Sequence, residues 1–418
     1  MRGIIGTGCG LVALAIGVAA CGGSASSTDN SSAGTAGGSG TKSLTIYSSL
    51  PLQGDSRQTS VDVSAGERLA LEDAGGTAGK FAIKYVSLDD ATAAAGKWDP
   101  GQVSANARKA AQDRSAIAYL GEYNSGATAI SLPILNEAGL LQVSPSNTYV
   151  GLTRSEGAAQ GEPDKYYPTG HRTFGRVVRT DRTQAAAQVA YQRKEGCRRI
   201  YLLNDREVYG KGLADQVAAF AKAQGIAVAA NQGIDTKAAN YRGLAQSIHA
   251  SGADCFFFGG VTANNAVQLW KDVHASNPDM KLFGPDGVAE DAFTSKIGPA
   301  QNDTFLTVPV LPPDRYPPAG RRFFLKFKEK YGHEPAPYAI YGYEAMKTAL
   351  LAIAGAGDKG DDRQAVTQAF FGIKRPDSVL GSYSIDPNGD TTLASEGGYR
   401  VKDGKQVFDT VLRAKPTS

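Results

Sequence analysis

The side chains able to do chemistry in this chain are poorly arranged for catalysis. Its four histidines, His171, His249, His274 and His333, have no Glu or Cys at metal-ligand spacing beside them. No Gly-x-Ser-x-Gly elbow occurs, and Gly79-Lys80 lacks the preceding Gly and following Ser/Thr of a phosphate loop. Gly355 to Gly360 fits Gly-x-Gly-x-x-Gly, yet it follows a helical pattern rather than a strand and reads as a loop. With no nucleophile–base pair, no enzyme is expected, and no cofactor or metal either. What remains is a set of polar residues at expected strand ends: Ser125, Ser146, Thr148, Tyr209 and Asp286. Hydroxyls combined with helix-start amides suit a carboxylate, and one buried carboxylate suits an ammonium. Each residue also has a plain structural reading. Ser125 can cap a helix, Thr148 can end a loop, Tyr209 can start a helix, and Asp286 can serve the backbone of a Gly-Pro-Asp-Gly turn. Their common place at strand ends is the argument for a ligand.

Positioning these residues requires a particular kind of scaffold. The apolar run Ile117 to Leu120 breaks at Gly121 into the loop ending Asn124-Ser125-Gly126, and Ile130, Ile134 and Leu135 then share a helical face. A second buried run, Leu140 to Val143, breaks into Ser144-Pro145-Ser146-Asn147-Thr148. This is a βαβ unit, whose right-handed crossover sets the two loops side by side at the carboxyl edge of a parallel sheet, where small molecules bind. Strands at Lys42 to Ser49 and Phe81 to Leu88 precede it. A second series follows, with strands at 200–203, 226–230, 255–258 and 281–283 alternating with helices, the last ending in Gly284-Pro285-Asp286-Gly287. Proline-rich Val308 to Pro318 reads as a connection, followed by helices over 320–331, 337–354 and 362–372 and a β tail with an Asp386–Asp390 turn. The pattern predicts an α/β protein of two doubly wound parallel-sheet lobes joined by a three-segment hinge around a cleft. Residues 43–176 and 309–378 are assigned to the first lobe, and 177–308 and 379–418 to the second. Residues 149–171, containing Tyr166-Tyr167-Pro168, read as an irregular insertion.

Composition is that of an ordinary globular protein, and 44 basic against 41 acidic residues in 418 give no sign of a nucleic-acid partner. The N-terminus reads as a targeting segment. Arg2 precedes a small apolar stretch, Gly10 to Ala20, too short for a membrane span, and Val18-Ala19-Ala20-Cys21 resembles the lipobox of bacterial lipoproteins. The resemblance implies a signal peptide over 1–21 and lipid on Cys21, with the Gly/Ser-rich 22–42 stretch as a flexible tether at the outer face of the cell membrane. Cys197 and Cys255 then remain. Strands one and three of a 2-1-3 sheet are neighbours, which places both cysteines at the end away from the ligand edge, as a disulfide or as two buried thiols.

From Leu44 to about Lys405 the chain resembles the branched-chain amino acid (Leu/Ile/Val-type) substrate-binding proteins of ABC importers, which have the type I periplasmic binding protein, or Venus-flytrap, fold. The matching landmarks include Asp89-Asp90, Asp99-Pro100-Gly101-Gln102, Gly121 to Ser125, Val143-Ser144-Pro145 and Phe174-Gly175-Arg176. Asp205 to Gly212, Gly259-Gly260, Gly284 to Gly287 and Tyr341 to Ala345 continue the series in order. The resemblance implies that Ser125 and Thr148 hold a ligand carboxylate, that Asp286 meets its ammonium, and that Tyr209 closes over it from the second lobe. It also implies an ABC permease as partner. Ser146-Asn147 stands in place of two small apolar residues, Asp286 in place of the longer Glu, and Val261 where an aromatic often touches ligand. A zwitterionic amino acid is therefore expected, with an amide, urea or aromatic acid as the alternative ligand, and a ligand-sensing module as the alternative role.

Overall fold

The computed structural model describes residues 41–413. The targeting segment, Cys21 and all of the tether but residues 41 and 42 lie outside the described residues. A six-stranded sheet carries the first lobe, in the order Thr77–Ala78, Phe81–Asp89, Ser43–Leu50, Ala116–Gly121, Leu141–Ser144 and Phe174–Arg176. Only the pairing of Thr77–Ala78 with Phe81–Asp89 is antiparallel. The second lobe rests on seven strands, in the order Ala227–Gly233, Arg199–Asn204, Cys255–Gly259, Lys281–Gly284, Thr304–Val308, Ser395–Lys402 and Lys405–Arg413. Its first five strands run parallel and the last two complete an antiparallel edge. The central strand Cys255–Gly259 carries no polar side chain, as burial on both faces of a parallel sheet favours; Cys255, Phe256, Phe257 and Phe258 are all 0% exposed.

Three features extend the sequence reading. Thr304–Val308, read only as the approach to a connection, is a fully buried strand whose Leu306 pairs with Gly284. The Asp89–Asp99 stretch folds back as a hairpin, Ala91–Thr92 against Lys97–Trp98, at the carboxyl edge of the first sheet. The boundary at 379 is also displaced. Lys374–Ser378 and Gly381–Ser384 pair as a ribbon, and Arg375 and Tyr383 from its two strands both reach Glu344. The Asp386–Asp390 turn is still held by Arg154 and Arg176, so the chain returns to the second lobe only beyond Asp390. A buried carboxylate without its cation is costly, and these ion pairs fix where the chain crosses.

The returning segment is locked to the first lobe by close helix packing. Helices Arg57–Asp73 and Ala339–Gly355 meet at Gly66 and Gly342. A Cβ on Gly66 would stand 2.1 Å from the Ala339 carbonyl oxygen, and one on Gly342 would stand 2.3 Å from that of Val63. This contact places Tyr338, just ahead of the second helix, at the cleft.

The second-lobe cysteines are bonded in the structure, with Cα atoms 5.8 Å apart. Cys255 pairs with Ile200 in adjacent parallel strands, and Cys197 lies just before that strand.

Candidate functional site

The first wall of the cleft is made by two loops at the carboxyl edge of the six-stranded sheet. Ser144 at the end of its strand organises them. Its hydroxyl donates to the Glu122 carbonyl (2.9 Å) and accepts from the amides of Ser146 (3.2 Å) and Asn147 (2.9 Å). Ser146 Oγ and Asn147 Nδ2 both donate to the Tyr123 carbonyl, at 2.9 and 3.0 Å. The fully buried Arg176 holds the loop from beneath, donating to the carbonyls of Asn147 (3.0 Å) and Tyr149 (2.9 Å) while Asp390 pairs with its Nε (2.8 Å). A charged group thus fixes backbone carbonyls, and Thr148 is set between them.

Ser125 differs from expectation. Asn124, not Ser125, occupies the cap position of helix Ser125–Glu137, and no side chain caps it. Ser125 Oγ accepts from the Tyr149 amide instead (3.3 Å), tying the two loops together. The amides of an uncapped first turn have no helical acceptor and point outward, a natural seat for an anion.

The second wall is acidic. Asp286 leaves the Lys281–Gly284 strand and is 8% exposed. Its carboxylate does not serve a turn alone. Gln184 Nε2 donates to Oδ1 at 2.6 Å and the Tyr209 hydroxyl at 2.8 Å, while the Tyr338 hydroxyl donates to Oδ2. Tyr338 comes from the first lobe, so this last bond crosses the cleft. Burial raises the pKa of Asp286, and the bonds from Tyr338, Tyr209 and Gln184 offset only part of the rise. Burial and the nearby Asp286 hold the Tyr209 and Tyr338 hydroxyls well above the usual phenol range, so both remain donors.

Ser125, Ser146, Thr148, Tyr209 and Asp286 all line one cavity, together with Tyr123, Asn124, Val261, Gly287 and Tyr338. The cavity measures about 30 Å³, room for about one water, so a solute enters only when the lobes part. A larger cavity of about 1130 Å³ lies on the first lobe between Arg114, Asn136, Arg363 and Phe371. It sits at the opposite end of the sheet, where Arg363 donates to the carbonyls of Ala116, Asp113 and Ala138. None of the strand-end residues reaches it, and convergent polar groups mark the smaller space as the better candidate.

Sequence reasoning missed Tyr123, Gln184 and Tyr338. Tyr123 lies inside a loop already singled out, and its ring meets Tyr338 edge-on at 5.7 Å. Tyr338 follows Pro335-Ala336-Pro337 at a helix start, a position that could have been examined for a cleft residue. Gln184 is an unremarkable residue of helix Asp181–Lys194, and no local pattern marks it. Residues 149–171 form two short 3₁₀ turns held by Glu162, which accepts from Tyr149 (2.6 Å) and Tyr166 (2.7 Å). Among the described residues no group of His, Cys, Asp or Glu could hold a metal ion.

Two doubly wound lobes closing on a cavity with hydroxyls on one wall and an acid on the other define a two-lobed binder of small solutes. The chain belongs to the periplasmic binding protein family, whose model matches residues 45–404, and it has the type I fold. It is 25% identical over 372 residues to Leu/Ile/Val-binding protein homolog 1 of Brucella suis, covering 88% of this chain and 93% of that one. The leucine-binding protein LivK of Thermotoga maritima superposes with a TM-score of 0.77 at 22% identity, over 88% of this chain and 99% of that chain. A solute-binding protein of an R. palustris ABC transporter, solved with benzoate, gives 0.73 at 18% identity, over 89% and 97% of the two chains.

Proposed function

We propose that this protein captures an amino acid or similar small zwitterion in the interlobe cleft and delivers it to an ABC importer. In this reading Ser125, the first-turn amides, Ser146 and Thr148 take the ligand carboxylate, Asp286 takes the ammonium, and Tyr209 closes over it. The observation that carries the reading is the convergence of these five residues, from both lobes, on one enclosed cavity. The relatives named for leucine, isoleucine and valine binding support the same class of ligand. Delivery takes place outside the cytoplasm, with the protein held at the membrane by lipid on Cys21.

A second reading, an aromatic acid, draws on the benzoate-bound neighbour and on the rings of Tyr123, Tyr209 and Tyr338 around the cavity. It is the weaker of the two, because an acid without a cation leaves the buried Asp286 facing a second negative charge. Thermal-shift screening of the mature protein against amino acids, small amides and benzoates separates them, since a ligand specific to the folded form raises its melting temperature. Stabilisation by benzoates alone overturns the amino-acid reading. For the anchor, Cys21→Ser is expected to abolish membrane partitioning, and unchanged partitioning rejects it.

A further inference from the structure

The residue at the root of the first-lobe hairpin carries a carboxyl that the cleft described above does not use. Asp90 is 0% exposed, and neither of its side-chain oxygens meets an ordinary hydrogen-bond donor. Its one polar partner is another acid, Glu122, also 0% exposed, which opens the cleft loop. The adjacent Asp89 is different, accepting from the amides of Leu52 and Ala91 at 2.9 Å and from Gln53 Nε2 at 2.7 Å. Glu122 is well supplied too. The Tyr119 hydroxyl donates to Oε1 at 2.7 Å, and the Ser49 and Ser131 hydroxyls lie against the carboxyl. Those two serine oxygens accept from Asn106 and Gln142, which leaves their own O–H groups to turn toward Glu122. Asp89 and Tyr119 are the other titratable groups facing the pair, and among the described residues no cation pairs with Asp90 or Glu122. Two carboxylates at this range in a dry site cannot both ionise, whereas one proton between them makes a charge-assisted hydrogen bond. Glu122 has hydroxyl donors and Asp90 has none, so the proton belongs on Asp90.

The backbones of the two acids hold parts that meet at the cleft. Asp90 closes the hairpin root: its amide donates to the Leu50 carbonyl (3.1 Å) and its carbonyl accepts from the Asp99 amide (2.8 Å). From this hairpin Lys97 Nζ reaches Glu207 of the second lobe at 2.5 Å. Trp98 lies so close to the cleft loop that a Cβ on Gly126 would stand 3.0 Å from its ring. The Glu122 amide donates to Thr128 Oγ1 (3.2 Å) and its carbonyl accepts from Ser144. The next three residues, Tyr123, Asn124 and Ser125, line the cavity.

We propose that Asp90 and Glu122 share one proton, and that this bridge positions the cleft loop against the hairpin that reaches the second lobe. Both are positioning residues, since neither lines the cavity. The inference rests on reading residues 123–125 as a cleft wall. Its test needs no ligand, so it can fail while that reading stands. The folded pair keeps a proton that an unfolded Asp releases above about pH 4. The stability the bridge contributes is therefore greatest in acid and is lost as pH rises.

The test compares the parent protein with Asp90→Asn, Glu122→Gln and Asp90→Leu, all unliganded. Melting temperature is followed from about pH 5 to about pH 8, and amide hydrogen exchange is read by mass spectrometry. Asp90→Asn supplies a permanent N–H donor to Glu122 and takes up no proton. Its melting temperature is expected to fall less steeply with pH than the parent's, with exchange unchanged over residues 91–98 and 121–126. Glu122→Gln, which reverses donor and acceptor, is expected to flatten the profile in the same way. Asp90→Leu removes the bridge, and exchange in both segments is expected to quicken about 10-fold, with the strand Cys255–Gly259 unaffected. Should Asp90→Leu fail to fold, the slopes of the two amide variants still decide. The parent's slope retained in both amide variants overturns the proposal, as does an Asp90→Asn protein that exchanges faster than the parent in both segments.

Discussion

The two walls of the cleft are built from the same structural device, loops at the carboxyl ends of parallel strands, yet they differ in chemistry. The first-lobe wall offers neutral groups: the Ser125, Ser146 and Thr148 hydroxyls and the amides of an uncapped helix start. The second-lobe wall offers one acid, Asp286, with two more buried near enough to feel its charge: Glu290 in the same loop and Asp181 at the start of the helix that leaves the hinge. Neutral donors are rigid and indifferent to pH, whereas buried carboxyls are held at an energetic cost and are sensitive to what faces them. A zwitterion placed across this gap would have its anion met by dipoles and its cation by charge. Losing a charge partner from a dry site is expected to cost far more than losing one of several dipoles.

The sharpest way to break the comparison is Asp286→Asn. Loss of affinity for whichever amino acid binds is expected to reach about 100-fold or more, because a buried ammonium would lose its counter-ion. An amide at this position also turns N–H groups toward the donors Gln184, Tyr209 and Tyr338, so the melting temperature should fall too. Calorimetry and thermal melts separate the two effects. Unchanged affinity would show that no ammonium sits there.

Support of the acidic wall can be tested apart from its chemistry. Replacing Cys197 and Cys255 together by Ala is expected to cost about 2–4 kcal/mol of stability in urea unfolding. Ligand affinity should stay within about twofold, since the bond lies at the far end of the strands. Titration of the unfolded, unreduced parent protein should find neither of these thiols free.

The buried acids behind the second wall carry a pH dependence, as Glu122 and Asp90 behind the first wall do. Burial pushes Asp181 from its ordinary 3.8 up to about 8 and Glu290 from 4.5 up to about 7. Between about pH 4 and 8 the folded protein therefore holds more protons than the unfolded chain, and the stability they provide is lost as pH rises through the folded values. Unliganded protein is expected to lose stability from pH 5 to 8, by up to ~1.4 kcal/mol per pH unit for each proton released. A flat or rising melting temperature over that range would contradict it.

The smallest effect is expected on the neutral wall. Ser125→Ala removes one hydroxyl and its contact with the Tyr149 amide but leaves the helix-start amides in place. A loss of about 1 kcal/mol in binding, roughly five- to tenfold, is expected by calorimetry. A loss equal to that of Asp286→Asn would mean the walls are not chemically unequal.

Where a cavity-lining residue sits in its own strand-end loop, the sequence was sufficient to place it on that edge. Asn124-Ser125-Gly126, Ser144 to Thr148 and Gly284 to Gly287 each follow an apolar run directly, so local pattern and topology together put them on one edge. The chain alone likewise indicated two doubly wound lobes, because buried parallel strands alternating with helices admit few other packings. It could not show that Ser125 leaves its helix uncapped, or that Asp286 already holds three donors. Those donors, Gln184, Tyr209 and Tyr338, lie 102, 77 and 52 residues from it along the chain. Hydrogen-bond partners separated so widely share no periodicity or turn grammar. They are selected only when the lobes pack and each buried polar atom must find whatever donor or acceptor the other lobe provides.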